Sequence, residues 1–175
     1  MKTIIFLPIM DYFRSRKKII LKFLVPLLVG ISVLVGALIF DVNNALESFS
    51  EFIGIQINIV AILLSFSVAI ITILVSADNS NIQKLKETQS SVANYKPVNR
   101  KQLSLFQIML SSISYNAVVE IIYLVLLIGV SLIKEIIPVG ILKYITAFCM
   151  FIIVHILCVL LESVAQMYLT FWDKK

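Results

Sequence analysis

Three ionisable side chains stand inside apolar stretches, where charge is costly: Glu120, His155 and Glu162. Glu120 lies near the middle of residues 103–133. Asn116 precedes it by four residues, Ser112 by eight, and Tyr123 follows by three. On a helix these four share one face. His155, Cys158 and Glu162 recur in steps of three and four on one face of the last apolar stretch. An ionisable group at membrane depth should face protein or water and find a partner. Antiparallel helices would bring Glu120 and His155 to similar depth, with Glu162 about two turns away, level with residues 111–115. The set suits either an interhelical polar clasp or a proton or ion path. One histidine and two glutamates are few for a path, which favours the clasp.

Most enzyme chemistry lacks its residues. A single histidine excludes an H-E-x-x-H zinc site. There is no G-x-S-x-G elbow and no phosphate-cradling glycine loop. Cys149 and Cys158 are nine residues apart on one helix, roughly 13 Å along its axis, so they cannot bridge. The expectation is a non-enzyme with no catalytic residue, no metal and no cofactor.

The elements that carry these residues are membrane spans. Hydrophobic residues make up 60% of the 175 and charged ones 14%, against about 25% charged in soluble domains. Mean hydropathy is +1.02. The pattern predicts an all-α, polytopic four-helix bundle in one membrane domain, with spans at 23–40, 52–77, 103–133 and 144–171. Thirteen of the fifteen Lys and Arg residues fall in 1–22, in the polar loop 78–102 or at the carboxyl end. Both termini are therefore expected inside, in a bacterial cytoplasmic membrane. The basic residues read as membrane flanks, and no nucleic acid is expected.

Residues 1–22 read as an amphipathic segment lying on the membrane surface rather than a signal peptide. Pro26 is expected in the first turn of the first span, where Ser32 and Gly36 form a small-xxx-small pair. Asn44 and Glu47 form a capping-box pattern before the second span. That span carries the most regular feature of the chain: Asn58, Ala61, Ser65, Ala69, Thr72 and Ser76, in steps of three and four. Such seams mark close helix packing, within a subunit or with a neighbour. The loop 78–102 carries Lys84, Lys86, Lys96, Arg100 and Lys101, the best candidate surface for a soluble partner. Asn99 with Gln102 is expected to cap the third span. Pro138 and Gly140 are expected to break the chain before the fourth span, which ends in Tyr168 and Trp172 at the interface.

Residues 62–86, ILLSFSVAIITILVSADNSNIQKLK, and 105–120, LFQIMLSSISYNAVVE, resemble a loose group of small bacterial four-span proteins. Some are encoded beside phage-defence modules, including membrane accessories of RNA-targeting CRISPR systems. The resemblance covers about half the chain, through its hydrophobic pattern and the S-x-D-N-x-x-I-x-K-L-K exit from the second span. It implies a self-associating inner-membrane effector or accessory that perturbs membrane integrity or potential. Two alternatives stand beside it: a non-lytic immunity or accessory module docking a soluble partner through 78–102, and a small channel or transporter subunit.

Overall fold

The computed structural model describes residues 2–39, 45–76, 80–89 and 102–172, except for the side chains of 2–5, 81 and 169–172. Among the described residues there are six helices: α1 Lys2–Ser15, α2 Ile19–Ile39, α3 Ala45–Ser76, α4 Ser80–Glu87, α5 Leu105–Ile133 and α6 Val139–Trp172. Four of them, α2, α3, α5 and α6, are long and apolar enough to cross a membrane. The all-α polytopic architecture follows directly from hydropathy, because a spanning chain must satisfy its backbone groups internally.

The chain divides into two compact units. One comprises Met1–Ile19, Ser65–Val119 and Val159–Lys175; the other comprises Ile20–Leu64 and Glu120–Cys158.

In the first unit α1 packs one side against the chain. Tyr12 is buried and clusters with Tyr115 and Val159, with Ile9 and Val119 packed against them. Phe6, Leu7, Met10 and Phe13 on α1 remain exposed. The short helix α4 is amphipathic and anchored: Ile82 and Leu85 are buried, three residues apart, and Lys86 lies 5.3 Å from the Phe106 ring centre. Its end is tied to the start of α5, where the Leu105 amide donates to the Thr88 carbonyl at 3.0 Å.

The cap of α5 differs from the expected one. Asn99 lies outside the described residues, and α5 begins at Leu105 behind Ser104. The Gln107 amide donates to Ser104 Oγ at 3.2 Å, and the Ser104 amide donates to Gln107 Oε1 at 3.0 Å. This reciprocal pair is a capping box in the pattern S-x-x-Q. Asn44 also lies outside the described residues.

In the second unit Pro26 sits inside α2, about two turns from its start at Ile19, not in the first turn. The apolar run simply begins earlier than expected, and Pro26 has no N–H to offer the Lys22 carbonyl. Gly30 provides a close approach to α6: a Cβ there would stand 3.2 Å from both the Ala147 carbonyl oxygen and Phe151 Cβ. Gly140 does not break the chain. It lies in the first turn of α6, which Pro138 opens by accepting from the Ile141 amide at 2.8 Å.

Helix α3 has two opposite faces. Ile53, Gln56, Val60, Ser67, Ile70 and Leu74 are buried. Asn58, Ala61, Ser65, Ala69, Thr72 and Ser76 are all exposed. At about 100° per residue the two stripes point in nearly opposite directions. Among the described residues nothing packs over the small-residue seam closely enough to bury it.

Candidate functional site

Each unit buries polar residues of the apolar helices. The first network, in the first unit, is built around Arg16, at the end of α1. Its guanidinium is almost fully buried and its Nη1 donates to Glu162 Oε1 at 2.6 Å. Nη2 donates to Ser112 Oγ at 3.0 Å. Ser112 and Ser163 share a hydrogen bond of 2.9 Å. Ser163 Oγ also donates to the Val159 carbonyl at 2.9 Å. Its one proton is committed there, so Ser112 donates to Ser163, and the chain of donors runs Arg16, Ser112, Ser163, Val159.

Aromatic rings complete this network. The Arg16 guanidinium carbon lies 4.2 Å from the Tyr12 ring centre, and Tyr12 stacks on Tyr115 with centres 3.9 Å apart and planes 6° apart. Phe13 meets Tyr115 edge-on at 5.9 Å. A guanidinium held by a carboxylate, a hydroxyl and a ring face is fixed in place. It is a fastener for α1.

The second network lies in the second unit. Tyr123 donates its hydroxyl proton to the Cys149 carbonyl at 3.0 Å, with Gln56 Oε1 farther off at 3.4 Å. Gln56 Nε2 in turn meets Met150 Sδ at 3.9 Å. The His155 ring stacks on Phe23, centres 4.5 Å apart and planes 9° apart. Lys134 donates to Ser50 Oγ.

Of the expected set Ser112, Asn116, Glu120, Tyr123, His155 and Glu162, two members, Ser112 and Glu162, belong to the network around Arg16. Ser112, Asn116, Glu120, Tyr123 and His155 are buried, whereas the Glu162 side chain is 29% exposed. Ser112 and Glu162 meet through Arg16, while Tyr123 bonds the Cys149 carbonyl and His155 stacks on Phe23 in the other unit. Sequence reasoning missed Arg16, which looked like one more member of the run Arg14, Arg16, Lys17, Lys18. A signal was present: Tyr12 precedes it by four residues, a helical spacing, and Glu162 needs a cation. Of the loop residues, Lys84 and Lys86 are exposed on α4; Lys96, Arg100 and Lys101 lie outside the described residues. Tyr168 is exposed.

The chain matches no family model, no curated protein and no solved structure. Among the described residues no cluster of His, Cys, Asp or Glu is arranged to hold a metal ion. Cys149 and Cys158 are free thiols. The contacts around Arg16 fasten α1 to α5 and α6.

Proposed function

We propose that this protein is a self-associating effector or accessory of a bacterial defence or stress system, acting in the cytoplasmic membrane by perturbing its integrity or potential. The observation that carries the reading is the outward face of α3. Asn58 sits about two turns inside the expected span 52–77 and is exposed, in line with Ala61, Ser65 and Ala69. A carboxamide facing hydrocarbon is costly, and small neighbours let another backbone come close enough to satisfy it. The hydroxyls farther along need no such partner: Thr72 donates to the Val68 carbonyl at 2.9 Å and Ser76 to the Thr72 carbonyl. A second copy, offering the same face, supplies both the polar partner and the close surface. The charge distribution supports placing both termini in the cytoplasm.

Controlled expression tests this reading. The expected result is loss of membrane potential, read with a voltage-sensitive dye, at levels where the protein is crosslinked into oligomers. Unchanged potential would favour the docking alternative, which the exposed Lys84 and Lys86 on the anchored helix α4 support. Reporter fusions after Ser48 and Val139 should read periplasmic and one after Ser91 cytoplasmic; a periplasmic signal at Ser91 inverts the map.

A further inference from the structure

A cavity of about 370 Å³ opens between α1 and the first turns of α5, wholly within the first unit. Its size falls in the range of small-molecule sites, about 300–1,000 Å³. Its walls divide by chemistry. Leu7, Leu103 and Leu110 supply apolar surface, while Asp11, Gln107 and Ser111 supply polar groups. Two polar groups have no use within the fold. Ser111 Oγ is buried and makes no hydrogen bond among the described residues. Asp11 is exposed and forms no ion pair among them. Among the described residues no basic side chain lines the cavity.

We propose that this cavity binds a phospholipid with a primary ammonium headgroup, of the phosphatidylethanolamine class. The ammonium sits at the Asp11 carboxylate, a charge-assisted hydrogen bond that a neutral or anionic headgroup cannot make. Ser111 Oγ donates to the lipid's phosphate or ester oxygens, which satisfies a hydroxyl otherwise left dry. Gln107 Oε1 is engaged in the α5 cap, but its Nε2 remains a donor on the same wall. The Asp11 carboxylate on this wall selects a zwitterion over an anionic lipid, whose net charge it would repel. The acyl chains leave past Leu7 and Leu110. Phe6, Met10 and Phe13 of α1 are exposed beside this region, so the occupant arrives laterally from the bilayer rather than from water.

The test uses the full chain released from nanodiscs of equimolar phosphatidylethanolamine and phosphatidylglycerol with matched acyl chains, and reads retained lipid by native mass spectrometry. The wild type should retain the ethanolamine lipid over the glycerol lipid by about fivefold or more. Asp11→Asn, at an exposed position that does not threaten folding, should abolish the preference. Ser111→Val should lower total retention while leaving the preference. Equal retention of both lipids by the wild type, or an undiminished preference in Asp11→Asn, overturns the proposal. Displacement by an equal concentration of free O-phosphoethanolamine would overturn the lipid assignment, because the acyl chains would then contribute nothing.

Discussion

Arg16 and Glu162 are 146 residues apart in sequence and 2.6 Å apart in the fold. The pair joins the end of α1 to the cytosol-proximal part of the last span, as the proposed orientation has it. A buried guanidinium is tolerable only while its partner remains, since the charge cannot be shed at any ordinary pH.

Removing Glu162 should therefore do more harm than removing both charges. Truncating one partner of a buried charge pair costs about 2–5 kcal/mol. Glu162→Ala belongs toward the lower end, because its carboxylate is partly exposed and screened. Arg16→Met with Glu162→Leu should recover much of the loss, as apolar replacement of a buried pair often does. Thermal unfolding of the detergent-solubilised variants measures the cost. Trypsin cleavage after Arg14 reports whether α1 has come away. Equal melting temperatures for wild type and Glu162→Ala would show that the pair does not hold the helix.

The four spanning helices were legible because hydropathy alone decides them, though α3 begins at Ala45 rather than at 52 and α6 at Val139 rather than at 144. The inward and outward faces of α3 were not. Both stripes repeat at helical spacing, and Ile53, Val60, Ser67 and Leu74 recur every seventh residue. A periodicity says that a helix has a packing face. It does not say which of two packed faces lies inside the chain. Ser112 and Glu162 were legible as costly groups in need of company, but a long-range partner such as Arg16 is set by the fold of the chain, not by local spacing. The cap of α5 was legible in principle: S-x-x-Q at Ser104–Gln107 is as good a pattern as the Asn99–Gln102 pair that stood beside it.

The outward face of α3 yields a test of self-association. Ser65→Leu or Ala69→Leu should hold two backbones apart and lower the oligomer order seen by crosslinking in membranes. Val75→Leu, also exposed but on a flank of the helix, should leave it unchanged. Neither seam position is buried in the subunit, so the helix content and melting temperature of the variants should match wild type within about 0.5 kcal/mol. A lower melting temperature with an unchanged oligomer would place the seam's partner inside the chain after all.

Glu120 separates fastening from conduction. It is fully buried on α5, as is Asn116 one turn before it. Glu120→Gln keeps the shape and the hydrogen-bonding capacity of the side chain but cannot exchange a proton. A polar contact between membrane helices is worth on average ~0.6 kcal/mol, with a maximum near 1.7. If Glu120 fastens helices, the Gln variant should lose no more than that in stability and should depolarise cells as the wild type does at matched expression. If it carries protons, the Gln variant should remain folded and leave the membrane potential intact. His155→Gln is the companion measurement: its ring stacks on Phe23, so a fastening role predicts a small loss of stability with depolarisation retained. The polar residues found in this fold as carbonyl- and carboxylate-bound fasteners, Tyr123 on Cys149 and Arg16 on Glu162, lead us to expect depolarisation from both variants. Loss of depolarisation from either, with helix content and melting temperature unchanged, would make the buried residues a pathway.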